Sequence, residues 1–172
     1  MALRPGRCYT KINKKPFTRI SIHKPRRSYV KGVPASKIHQ FEVGNLKGDF
    51  PLRMDLISRE DVQIRSNALE SARMMVTKHL AKNLGDTGFF LKILVYPHHV
   101  LRENSMATGA GADRFSQGMR HSFGKPIGQA ARINSGQSIL MVKTPEKTEE
   151  IVKEALKRAS AKLPGSFLIK KI

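Results

Sequence analysis

The chain has 172 residues, 40% of them apolar, and carries 32 Lys and Arg against 13 Asp and Glu, a formal charge of +19. Charge on that scale is sustained most readily when phosphates neutralise it. A single cysteine, Cys8, excludes an internal disulfide and a cysteine-based zinc cage, and no apolar run reaches the roughly 20 residues of a membrane span. The basic N-terminus lacks the apolar stretch of a signal peptide, so a cytosolic chain is expected.

Residues 1–41 contain no Asp or Glu, yet they hold eleven Lys or Arg. Pro5-Gly6, Pro16, Pro25, Gly32 and Pro34 break any periodicity there. Such a stretch predicts an arm that orders on a polyanion and does not fold alone. Residues 1–37 are read as this arm, and 38–172 as a globular domain. Its candidate phosphate contacts are Arg4, Arg7, Lys11, Lys14, Lys15, Arg19, Lys24, Arg26, Arg27 and Lys31. Each neutralised phosphate releases counterions, and Arg can also bridge phosphates bidentately. Tyr9, Phe17 and Tyr29 are interleaved with these charges and suit stacking on unpaired bases.

Ile38 to Val43 alternates as a strand. Gly44-Asn45 and Gly48-Asp49 mark turns. Pro51 to Ile57 sets Leu52, Met54 and Leu56 on one face and Arg53 and Asp55 on the other, a half-buried strand. Val62 to Arg65 predicts another short strand. A helix follows from Ser66 or Asn67 to about Leu84. Its apolar stripe is Ala68, Leu69, Ala72, Met75, Val76 and Leu80, and Gly85 stops it. Gly88 to Pro97 and Gln137 to Lys143 predict two central strands. Thr144 is the expected cap of a second helix with Pro145 at its first position. That helix buries Ile151, Val152, Ala155, Leu156 and Ala159, and Pro164-Gly165 ends it. Ser166 to Ile172 closes with an alternating strand. Strands around two amphipathic helices, without regular alternation of strand and helix, predict an α+β fold: a two-layer sandwich of a mainly antiparallel sheet and two helices.

His98 to Lys125 reads as a long flexible loop rich in Gly and Ser. Loops of that length are uncommon and usually functional. It has no phosphate-binding glycine motif. His98 and His99 are adjacent and, on a strand, would point to opposite faces. No metal, cofactor or catalytic residue is expected.

Certain residues are also recognisable. Arg4-Pro5-Gly6-Arg7-Cys8-Tyr9 with Lys15-Pro16-Phe17-Thr18-Arg19 resembles the start of the large-subunit ribosomal protein L-ten-e family, the universal L-sixteen class. Tyr96-Pro97-His98-His99-Val100-Leu101-Arg102-Glu103-Asn104, then Gly109-Ala-Gly-Ala-Asp113-Arg114, is similar to its signature. So is Gly118-Met119-Arg120 with Phe123-Gly124-Lys125-Pro126. The resemblance runs nearly end to end, and the many Lys and the short C-terminus resemble archaeal members. It implies an α+β sandwich placed on large-subunit rRNA near the 5S rRNA region, among neighbouring ribosomal proteins. It also implies a loop, here about Leu101 to Phe115, that points toward the peptidyl-transferase centre and the tRNA in the A and P sites. The tRNA-proximal residues would be Arg102, Asn104, Met106, Thr108, Gly109, Gly111, Asp113 and Arg114, with Arg120 and Lys125 on rRNA. Ala107-Thr108-Gly109 departs from the Ser-Cys-Ala type sequence frequent in eukaryotic members.

The rival reading is a nucleic-acid-processing enzyme with a basic arm and an active-site loop. Such an enzyme needs a carboxylate cluster or a histidine constellation. The loop has two acids, Glu103 and Asp113, each beside an arginine, which favours binding over chemistry.

Overall fold

The computed structural model describes residues 4–12, 23, 24, 26, 30, 32–107, 109–116, 118–120 and 123–172. The predicted contacts Lys14, Lys15, Arg19, Arg27, Lys31 and Thr108, and the aromatics Phe17 and Tyr29, lie outside the described residues. The described elements are β1 (Glu42–Gly44), β2 (Leu52–Ser58), β3 (Val62–Arg65), α1 (Ser66–Leu84), β4 (Phe90–Ile93), β5 (His99–Glu103), α2 (Ala112–Phe115), β6 (Lys125–Ile133), β7 (Ser138–Thr144), α3 (Glu149–Ser160) and β8 (Phe167–Lys171). They form an α+β sandwich with two antiparallel sheets, ordered β1-β4-β7-β2-β8 and β3-β6-β5.

The period of two in β2 works as the pattern requires. Leu52, Met54 and Leu56 are buried and join Leu91, Leu140 and Val142 in the core. Helix α1 contributes Leu69, Ala72, Val76 and Leu80, and α3 contributes Val152, Ala155, Leu156 and Ala159. The same core reaches the second sheet through Val62, Ile64, Ala131 and Ile133. Fully burying one such aliphatic side chain contributes about 1.5–3 kcal/mol before entropy is counted. Helix α1 ends where Gly85, at φ 73°, donates its N–H to the Ala81 carbonyl at 3.0 Å. A side chain at that φ would be strained.

Four local expectations change. The strand expected from Ile38 is shortened to Glu42–Gly44. The run Gly88 to Pro97 keeps alternating, with Phe89, Leu91, Ile93 and Val95 buried. Its ladder with β7 stops at Ile93, however, after which Leu94 donates to the Ile139 carbonyl. Pro97 has no N–H with which to continue. Thr144 caps nothing: it is the buried last residue of β7, opposite Leu52. A 3-10 turn over Glu146–Thr148 precedes α3, and Thr148 Oγ1 donates back to the Pro145 carbonyl at 2.7 Å.

The fourth change is the largest. The expected loop from His98 is a strand for its first part, because β5 pairs with β6. The second sheet that this pairing completes was not foreseen. Strand β6 contains Pro126, Gly128, Gln129 and Arg132 and shows no clean alternation. Its outward Ala130 is fully buried, so its polarity pattern does not report one wet face.

Candidate nucleic-acid interface

The outer face of the β3-β6-β5 sheet carries Gln63 opposite Arg132, and Arg65 opposite Ala130, which in turn stands opposite His99. Residues 4–12 of the basic arm lie across this face, turning through a 3-10 helix over Gly6–Tyr9. On the arm's side the sheet contacts are made by backbone carbonyls. The Gln63 N–H donates to the Thr10 carbonyl at 2.8 Å, at the free edge of β3. Gln63 Nε2 donates to the Tyr9 carbonyl at 2.7 Å, Arg65 Nη2 to the Arg4 carbonyl at 2.8 Å, and Arg132 Nη2 to the Ile12 carbonyl at 3.0 Å. These contacts use the arm's carbonyl oxygens and not its cations. Arg7 and Lys11 are exposed, as are Lys24 and Arg26 further along.

Glu103, at the end of β5, ties this segment to the loop. Its carboxylate takes the guanidinium of Arg4 in an ion pair and accepts the Tyr9 hydroxyl at 3.4 Å. Its hydrogen bond to Glu103, then the Glu103 charge, holds the Arg4 guanidinium above its ordinary pKa. Burial, then the Glu103 charge, raises the Tyr9 phenol. Arg65 covers the Tyr9 ring, 5.2 Å from its centroid, which is a cation–π distance. In the sequence Glu103 stands beside Arg102, but the two side chains take different partners. Arg102 stacks on Phe123, 4.2 Å from the ring centroid, and donates to the Phe123 carbonyl at 3.2 Å.

The loop beyond Glu103 is closed on itself. Asn104 Nδ2 donates to the Gly118 carbonyl at 3.2 Å. Gly109 and Gly111 both adopt positive φ and lead into the short helix α2, which presents Asp113 and Arg114 to solvent. Gly124, at φ 80°, passes so close to β5 that an added Cβ would sit 2.7 Å from the Glu103 carbonyl carbon. Arg120 and Lys125 are exposed at the base of the loop.

Arm and loop residues that the sequence reading kept apart are therefore brought together. Arg4 and Tyr9 line a small cleft of 270 Å³ with Arg102, Asn104 and Met106. Sequence reasoning missed the apolar surface of the loop. Phe115 is 89% exposed, Met119 62% and Phe123 58%. Their signal was present as large apolar residues without periodicity inside a Gly-rich stretch. Among the described residues, no three His, Cys, Asp or Glu side chains cluster as metal ligands, and no helix is long and apolar enough to cross a membrane.

Comparison with known proteins follows the same line. The family model for ribosomal protein L16p/L10e matches residues 17–170. The chain is 52% identical over 164 residues to the large ribosomal subunit protein uL16 of Staphylothermus marinus, covering 95% of this chain and 90% of that one. It is 48% identical to the protein of the same name from Methanococcus aeolicus, with 95% and 91% covered, and 46% identical to that of Thermofilum pendens, with 95% and 94% covered. The chain belongs to the L16p/L10e family of ribosomal proteins, which are structural components and not enzymes.

Proposed function

We propose, from this family membership, that the chain is a structural constituent of the cytoplasmic large ribosomal subunit. In this reading it binds large-subunit rRNA near the 5S rRNA region and helps to position tRNA near the peptidyl-transferase centre. The observation that carries the reading is the family match over nearly the whole chain. The physical support is an acid-free arm whose docking leaves Arg7, Lys11, Lys24 and Arg26 exposed, the arrangement that counterion release rewards.

Residues 1–37 act as the rRNA-binding arm and 38–172 as the body that presents the loop at about 101–115. The exposed Arg114, Phe115 and Met106 give that loop one positive charge and two apolar contacts to offer a tRNA end. The remaining partners in this reading are neighbouring ribosomal proteins.

Chemical crosslinking of intact large subunits, read by mass spectrometry and RNA sequencing, tests the assignment. Crosslinks from Lys11 and Lys24 should fall on large-subunit rRNA near the 5S rRNA, and those from the loop on tRNA in the A and P sites. Crosslinks confined to other subunit regions would refute the placement.

A further inference from the structure

One side of α1 stays open to solvent. Glu70, Met74, Met75 and Lys78 recur there at helical spacing and line a groove of 480 Å³, together with Lys37 and Lys162. Met74 is 44% exposed. Met75, expected from the sequence in the buried stripe of α1, is only half-buried. Lys37 and Asn67 also line a second hollow of 260 Å³, with Pro34 and the exposed Ile127. Apolar surface therefore continues past the first turn of α1, and the groove is elongated.

The groove combines soft apolar surface with positive charge. Methionine side chains adapt to irregular partners and recur on surfaces that take apolar anchors. Lys37, Lys78 and Lys162 are exposed and, among the described residues, enter no ion pair. The acid in the lining, Glu70, takes two hydrogen bonds from Arg73, so its charge is already answered. RNA fits this surface less well. No aromatic or histidine ring lines either hollow to stack a base. The Arg73 guanidinium, which could fork a phosphate, is committed to Glu70. Phosphates alone would leave Met74, Met75 and Ile127 in water, and a neutral apolar molecule would make no use of three ammonium groups.

We propose that this groove on α1 receives an acidic amphipathic segment of another protein. The apolar residues of that segment pack on Met74 and Met75, and on Ile127 further along. Its carboxylates meet Lys37, Lys78 and Lys162. An amphipathic helix laid into a hydrophobic groove is a recurring form of such recognition. The inference does not rest on the RNA-binding reading, none of whose named contacts lines the groove.

The test uses the full chain and a peptide of about 15 residues, roughly four helical turns, with Leu on one helical face and Glu on the other. A control peptide has the same residues in scrambled order, so the basic arm attracts both alike. The chain should bind the amphipathic peptide about tenfold more tightly than the control, the scale of burying about two methylene groups. With isotope-labelled methionine methyls, the Met74 and Met75 resonances should shift on binding while the buried Met54 and the loop's Met119 stay in place. Met74→Glu, at an exposed position outside the core, should keep the wild-type Tm and reduce the preference to about twofold or less. Lys37→Ala combined with Lys78→Ala should do the same through the lost ion pairs. Equal affinity for the two peptides would overturn the proposal. So would a preference that leaves Met74 and Met75 unshifted or survives in both variants, since binding would then lie elsewhere. Shifts of Met74 and Met75 with a paired RNA stem but with neither peptide would give this face to RNA and overturn it too.

Discussion

Removing Arg53 should unfold the protein more readily than removing its partner Asp55, although the two form one ion pair. Asp55 is fully buried on the sheet face away from the core and takes both of its hydrogen bonds from Arg53, at 3.0 and 2.9 Å. The Arg53 side chain is 38% exposed. In Arg53→Ala the carboxylate stays in place and loses both donors. Breaking a buried pair from that side costs roughly 3–5 kcal/mol. Lys170 stands directly opposite Asp55 in the register and is exposed, so it can swing in and partly replace the guanidinium. That places the expected loss near the lower end, about 3 kcal/mol. For a body of this size it corresponds to a fall in Tm of roughly 10 °C. In Asp55→Ala the half-exposed guanidinium turns to water along its own stem. The loss there is mainly a small cavity and one surface-type charge pair, about 1–2 kcal/mol. Thermal unfolding followed by circular dichroism on the two variants and the wild type gives the comparison. Equal Tm values for the two variants, or a more damaging Asp55→Ala, would refute the argument from asymmetric burial.

Replacing Arg7, Lys11 and Arg26 by Ala should flatten the salt dependence of RNA affinity by roughly 0.7–0.9 in log–log slope per lost phosphate contact. Arg4→Ala should change that slope less and instead raise amide exchange over residues 6–9, because its guanidinium is committed to Glu103. Gly124→Ala combines φ 80° with a 2.7 Å approach to β5; a Tm lower by several degrees is expected, from about 1–2 kcal/mol of backbone strain plus the clash, and an unchanged Tm would contradict the close approach. His99 is held below its ordinary pKa by burial and then by the charges of Arg132 and Arg102. A base depressed in the folded state gives stability that is full above about pH 6.5 and is lost as pH falls through that value toward the folded pKa. Urea unfolding from pH 7.5 to 5 should show this slope, and His99→Gln should remove its share. Deleting Ser105 to Ala112 with a short Gly-Ser join spares Glu103 and every core residue, so Tm should barely move. Large subunits carrying the deletion should hold tRNA poorly, and wild-type tRNA binding would make the loop a spacer.

Helices α1 and α3 and the strands β2, β7 and β8 were legible in the chain because each rests on local information. Leu69, Ala72, Val76 and Leu80 recur every three or four residues because one side of α1 is buried. Leu52, Met54 and Leu56 alternate because one face of β2 is buried. The absence of acids from residues 1–41 needs no fold to be seen. Tertiary structure alone decided the second sheet and the cleft built on it. Periodicity reports a strand only when one face is wet, and β6 loses that contrast where Ala130 lies buried beneath what covers its outward side. The same limit hid Asp55, which alternates outward like a surface residue and is sealed by Arg53 two positions away on the same strand face. Glu103 meets Arg4 across 99 positions of chain. No spacing rule spans that interval, because the contact exists only once β5, β6 and β3 have paired and given the arm an edge on which to dock.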